Sequence, residues 1–243
     1  MVIEFILLIL GAYLLGSVPT AYLIAKWSRG IDIRQYGSGN VGAANVLAVV
    51  SKRWSIPVTI FDISKGALTV WIAQMLGLEA YQQITVGIAA VIGHDWPVFL
   101  GFQGGRGMFT TLGVTTMLSW KLGLIVMVIS YTLAPWRQVA LGATVALVSL
   151  PFFSWFLSRP LDIEARLTIT LGFAALVLIG LSRRLIAPRT PLTASVHPVE
   201  LFFNRLLLDR DIRDRKAWIN QTSPEVSPME QPLEQDEKQR GVD

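Results

Sequence analysis

The 243-residue chain is 52% hydrophobic and only 16% charged, with a formal net charge of +4 and a mean hydropathy of +0.51. A soluble domain carries about 25% charged residues, so long apolar runs in place of that charge identify an integral membrane protein. The lack of cysteine excludes disulfides, thiolate metal sites and cysteine nucleophiles, and the two histidines, His94 and His197, lie too far apart in the chain to suggest a multi-histidine metal site.

A helix crossing the hydrocarbon core needs about 20 apolar residues. The first run, 2–25, has no small-residue cleavage pattern and reads as a retained span rather than a removed signal. Gly16-Ser17-Val18-Pro19-Thr20 interrupts its second half. Further spans are expected over 55–77, 82–103, 138–157 and 165–182. The stretch 108–135 is apolar except around Lys121, which one continuous helix would bury near mid-membrane at a cost of several kcal/mol. Two short helices with Lys121 at the turn avoid that cost, giving an all-α, polytopic chain of about seven membrane helices.

Basic residues then orient the chain. Lys26, Arg29, Arg34, Lys52 and Arg53 fall in one loop; Arg106, Arg137, Arg183, Arg184 and Arg189 belong to the same side. The opposite side holds Glu79, Lys121 and a mixed segment of Arg159, Asp162, Glu164 and Arg166. Positive charge favours the cytoplasm, so the N-terminus is expected outside and the C-terminal tail inside. Nothing in the charge pattern suggests nucleic-acid binding. Three regions follow: a membrane domain over 1–185, a basic amphipathic segment over 186–220, and a disordered tail over 221–243. Within the second, Pro198–Trp218 reads as one amphipathic helix, lying either in the membrane interface or on the protein's own cytoplasmic loops. From Gln221 onward the composition is Pro, Glu, Gln, Ser and Asp, too polar to form a core.

On that topology the unusual polar residues gather at one face. GSGNVGAAN, Gly37–Asn45, fits a plain turn or a nest of backbone N–H groups around an anion. Asp62 and Lys65, three apart in DISKG, share a helix face and suit either a structural ion pair or a ligand contact. His94 and Asp95 open GHDWPVF, and GFQGGRG follows with Gly104, Gly105 and Arg106. Two glycine-rich segments with basic residues nearby favour a phosphate pocket over two unrelated turns.

In order and spacing, GSVPTAYLIAK, GIDIRQYGSGNVGAANV, DISKGA and GHDWPVFLGFQGGRGM, covering roughly residues 11–113, resemble the motifs of the bacterial acyl-phosphate–glycerol-3-phosphate acyltransferases. The resemblance implies a multi-pass enzyme of the bacterial inner membrane with its active site at the cytoplasmic face. Such an enzyme moves a fatty acyl group from acyl phosphate to the 1-hydroxyl of glycerol 3-phosphate, with no cofactor and no metal. By similarity Gly37, Ser38, Gly39 and Asn40 line a phosphate pocket, and Lys65 and Arg106 add charge beside Asp62, Gly104 and Gly105. Asn45 and His94 supply hydrogen bonds near the reacting groups, and Ser38, His94 and Arg106 are the expected catalytic residues. Three positions and one motif depart from the family pattern. GATN is replaced by GAAN at Ala44, an expected arginine falls at Ala48, and GGKG becomes GGRG at Arg106. The C-terminal His/Asn/Arg motif has no clear equivalent; its two weak partial counterparts are Arg183-Arg184-Leu185 and Asn204-Arg205-Leu206. A catalytically weakened relative and a membrane protein that binds or transports a phosphate compound are the competing classes. The clustering of polar residues at one face, without an inverted repeat, speaks against transport.

Overall fold

The computed structural model describes residues 2–187, 193–194 and 196–220, and the regular elements among them are helical. In chain order they are α1 (Val2–Gly16), α2 (Thr20–Arg29), α3 (Ala43–Val49), α4 (Lys52–Met75), α5 (Ala80–Asp95), α6 (Met108–Leu118), α7 (Trp120–Thr132), α8 (Val139–Phe156), α9 (Arg166–Leu185), α10 (Pro198–Phe203) and α11 (Arg215–Ile219). Five stretches are long and apolar enough to cross a membrane: α1 with α2, then α4, α5 with the turn after it, α8 and α9. The apolar helices α6 and α7 are shorter.

The expected spans match these helices to within a few residues, and the differences have local causes. The break between α6 and α7 falls at Ser119, not Lys121. The Ser119 hydroxyl accepts from the Leu122 N–H at 3.2 Å and donates to the Leu161 carbonyl at 2.8 Å, which ends one helix and caps the next. Lys121 lies in the first turn of α7 and pairs with Asp162 at 2.8 Å. The third span stops early: α5 ends at Asp95, and only a 3₁₀ turn at Val98–Leu100 follows Pro97. Helix α9 runs on to Leu185 because Arg183 and Arg184 are buried and partnered.

The tail departs most. Pro198–Trp218 is not one helix but α10, a π turn at Asn204–Leu208, a left-handed Asp209 (φ 57°) and α11. The Asn204 amide donates to the Asp211 carbonyl at 3.1 Å, and Arg205 grips the Asp211 carboxylate at 2.7 and 3.1 Å, folding the chain back on itself. Arg189 and the tail expected over 221–243 lie outside the described residues.

Tight helix crossings build the bundle. A β-carbon on Gly16 of α1 would stand 2.1 Å from the Ala90 carbonyl oxygen of α5, and one on Gly93 of α5 would stand 2.2 Å from that of Tyr13. β-Carbons on Gly66 of α4 and Gly113 of α6 would stand equally close to the carbonyl oxygens of Thr110 and Ile63, at 2.1 and 2.0 Å. Small residues at crossings are how membrane helices gain dispersion contacts when lipid is as apolar as leucine. Around these crossings Val114, Leu122, Leu147, Leu150, Phe173 and Leu176 form the main buried cluster. At one end of the bundle Gln74 donates to the Met117 carbonyl at 3.0 Å and Lys121 meets Asp162. The polar motifs occupy the other end.

Candidate active site

The site begins where α1 stops. Gly16 approaches α5 too closely for a side chain, and Pro19 lacks an N–H, so the chain breaks over Ser17–Pro19 before α2 starts. A break inside a span leaves carbonyls without helical partners, which must be satisfied internally. Lys65 of α4 does this: its Nζ donates to the Gly16 carbonyl at 3.1 Å and to the Val18 carbonyl at 3.4 Å. The same ammonium pairs with Asp62 one turn earlier at 2.9 Å, both side chains almost fully enclosed. Asp62 Oδ1 also faces His94 Nδ1 at 3.5 Å. A small pocket collects these groups, lined by residues 16–21, Val41, Asp62, Lys65, His94, Pro97 and Gly104.

His94 closes the last turn of α5, and the glycine loop folds over it. The Gly105 N–H donates to the His94 carbonyl at 3.0 Å, and a β-carbon on Gly105 would meet His94 Nε2 at 2.0 Å and the Val41 carbonyl oxygen at 2.8 Å. The loop is fastened from α9: Arg183 Nε donates to the Asp95 carbonyl at 3.0 Å and its Nη2 to the Gly104 carbonyl at 2.9 Å. Tyr13 adds a tie from α1 through its hydroxyl to the Trp96 carbonyl at 2.9 Å.

The loop Gly37–Asn40 lies beside this pocket and meets it through Val41. Gly37 and Gly39 take positive φ values of 59° and 67°, which glycine adopts without steric cost. Asn45, in the first turn of α3, holds the loop together. Its Oδ1 accepts from the Ser38 N–H at 3.0 Å, and its Nδ2 donates to the Ile33 and Tyr36 carbonyls at 3.2 and 3.0 Å. A β-carbon on Gly37 would collide with that Oδ1 at 2.3 Å. The Asn45 amide therefore works on the loop itself, whereas the Ser38 and Asn40 side chains remain partly accessible. Upstream, Asp32 is a cap for the turn before the loop: burial raises its carboxyl, but hydrogen bonds from Arg34 outweigh that and hold it below the ordinary carboxylate value.

Arg106 points away from the Lys65 pocket toward the C-terminal arm. Its guanidinium forms an ion pair with the Asp209 carboxylate and donates to the Asp209 carbonyl at 3.1 Å. Arg184 Nε lies 3.7 Å from the same carboxylate, and its Nη1 donates to the Leu206 carbonyl at 2.9 Å. Arg205 returns the contact, donating to the Leu185 and Ala187 carbonyls at 2.8 and 2.7 Å. The two partial counterparts of the C-terminal motif are thus laced to each other. Burial, reinforced by the repulsion of Arg184 and Arg183, pulls the Arg106 guanidinium below its ordinary value, so an anion beside it is strongly favoured.

Of the residues expected to form a site, the structure brings Asp62, Lys65, His94 and Gly104 into one pocket and packs Gly105 on His94. Gly37, Ser38, Gly39, Asn40 and Asn45 form the adjoining loop, and Arg106 lies on the far side of Gly105, facing the arm. Sequence reasoning missed Asp209 and gave Arg183 and Arg184 only a weak place, as membrane-side charge and one of two partial motif counterparts. The near-complete burial of the two arginines carries no signature in the local pattern.

The family model described as glycerol-3-phosphate acyltransferase matches residues 6–186. Glycerol-3-phosphate acyltransferase 4 of Dehalococcoides mccartyi (strain CBDB1) is 44% identical over 219 residues, covering 90% of this chain and 94% of the relative. The glycerol-3-phosphate acyltransferase of Synechococcus sp. (strain CC9902) is 44% identical over 156 residues, 62% of this chain and 76% of its own. Crystal structures of PlsY (YgiH), an integral membrane glycerol 3-phosphate acyltransferase, in lysophosphatidic acid and glycerol 3-phosphate forms, superpose with a TM-score of 0.66 at 31% and 32% identity. They cover 74% and 75% of this chain, and 88% and 90% of their own.

Proposed function

The chain belongs to the glycerol-3-phosphate acyltransferase family, and from that premise we propose that it acylates the 1-hydroxyl of glycerol 3-phosphate with acyl phosphate as donor. The product is lysophosphatidic acid, the entry compound of phospholipid synthesis. The observation that carries the reading is the guanidinium of Arg106 on a glycine loop folded over His94, with Arg184 behind it: a cationic recess separated from the histidine by Gly105.

Both substrates are phosphate compounds, and an acyl phosphate is already activated. The residues therefore need to hold two anions in register and to stabilise the charge that develops on the acyl oxygen and the departing phosphate. Gly37, Ser38, Gly39 and Asn40 line one phosphate with Lys65 raising the local positive potential; Gly104, Gly105 and Arg106 hold the other, Arg106 through its planar fork. Asn45 keeps the first loop in shape. The hydroxyl oxygen attacks the acyl carbon, the new ester bond forms as the bond to phosphate breaks, and phosphate leaves with the electron pair. The hydroxyl proton passes to His94 Nε2, whose ring is oriented by Asp62 at Nδ1 (3.5 Å). The chain crosses the bacterial inner membrane seven times, counting α6 and α7, with the N-terminus outside and the site open to the cytoplasm. The excess of Lys and Arg at the site end supports that orientation.

Purified protein supplied with a long-chain acyl phosphate and labelled glycerol 3-phosphate tests the proposal. Lysophosphatidic acid and free phosphate should appear in equal amounts, and an acyl-coenzyme A thioester should give neither. Transfer from the thioester, or none from acyl phosphate, would remove the donor assignment.

A further inference from the structure

Asp209 has no part in the chemistry above, yet it occupies the most cationic position of the site. Its carboxylate lies on the Arg106 guanidinium and within 3.7 Å of Arg184 Nε. We propose that this carboxylate is a built-in competitor of substrate phosphate: it holds the anion position on Arg106 until a phosphate displaces it, so it sets how weakly the enzyme binds glycerol 3-phosphate or acyl phosphate. The inference rests on the acyltransferase reading and adds a specificity-determining residue to it.

Several features support a displaceable contact rather than a fixed brace. The Arg106 and Arg184 side chains are 10% and 1% exposed, whereas that of Asp209 is 23% exposed. The two cations thus form the inner wall, and the carboxylate lies on their more exposed side. The arm has anchors independent of Asp209: Arg205 holds Asp211, Leu185 and Ala187, and Arg184 holds the Leu206 carbonyl. The carboxylate can therefore swing out by side-chain rotation while the arm remains docked. The backbone at Asp209 has φ 57°, a conformation tolerated by Asp and Asn but natural to Gly. A carboxylate is thus retained at a position that suits a residue without a side chain.

If the carboxylate occupies Arg106 in about nine of ten molecules, apparent phosphate affinity is reduced about tenfold. Asp209→Asn keeps shape and backbone preference but loses the charge. It should lower KM for the substrate whose phosphate Arg106 holds, glycerol 3-phosphate or acyl phosphate, and the dissociation constant of inorganic phosphate by about tenfold, with kcat changing little; Asp209→Glu should stay near the parent protein. Asp209→Gly, which suits the left-handed backbone, should show the same tightening and gives the answer if the Asn variant does not fold. An unchanged or higher KM and phosphate dissociation constant in these variants would overturn the proposal and make Asp209 an orienting partner of Arg106. Phosphate binding, measured calorimetrically in detergent, decides the point even if the parent protein transfers no acyl group, an outcome that would instead defeat the acyltransferase reading.

Discussion

Gly105 and His94 stand so close that a single methyl group on the glycine would lie 2.0 Å from His94 Nε2. The contact fixes the imidazole against the loop that carries Arg106, and it makes the glycine a requirement of the histidine's position. Gly105→Ala should leave the membrane domain inserted and monodisperse but displace the ring or the loop by about 1 Å, lowering kcat/KM on the order of a hundredfold. Steady-state acyl transfer beside a thermal unfolding curve checks it. Wild-type kinetics in a folded variant would detach His94 from the reaction.

Lys65 should matter to stability before it matters to rate. Lys65→Met strips the buried Asp62 of its ion partner and removes the Nζ donor from the Gly16 carbonyl. Breaking one side of such a pair costs about 3–5 kcal/mol, seen as a fall in the unfolding midpoint in detergent. Adding Asp62→Asn to Lys65→Met should recover part of that loss, because the uncompensated charge is gone.

Asn45→Asp tests the loop brace. The new side chain still accepts from the Ser38 N–H but cannot donate to the Ile33 and Tyr36 carbonyls. Both carbonyls keep a backbone donor, the Tyr36 and Gly39 N–H groups at 3.3 and 3.0 Å, so the loss is of two hydrogen bonds worth about 0.5–1.5 kcal/mol each. KM for a phosphate substrate should rise more than kcat falls, since the loop shapes binding. Equal falls in kcat and kcat/KM would place Asn45 in the transition state instead.

Orientation is testable in a chain without cysteine. Gln103 and Tyr81 are exposed at opposite ends of the bundle. In intact cells an impermeant thiol reagent should label Tyr81→Cys and spare Gln103→Cys. The reverse pattern would turn the site outward. Gln82 is a poor probe, being buried in the capping box at the start of α5.

Hydropathy located the long membrane helices because a bilayer imposes length and apolarity on each segment independently. The Asp62–Lys65 pair was readable for a similar reason: a spacing of three is a local fact about one helix. Arg183 and Arg184 show where such reading stops. Just past the expected end of a span they look like interfacial charge, yet Arg183 reaches the carbonyls of Asp95 and Gly104, 88 and 79 residues earlier. The tail fails likewise. Its pattern allows one amphipathic helix, but the Arg205–Asp211 pair and the left-handed Asp209 fold it into an arm. Tertiary partners, absent from any local window, decide both cases.

The lysine that satisfies the broken end of α1 also has a bearing on biogenesis. Gly16 and Lys65 are 49 residues apart, a stretch that takes about 2–10 s to synthesise. Through that interval the first hydrophobic segment is in the membrane without the side chain that completes its break. Its interrupted form is completed only once α4 arrives beside it.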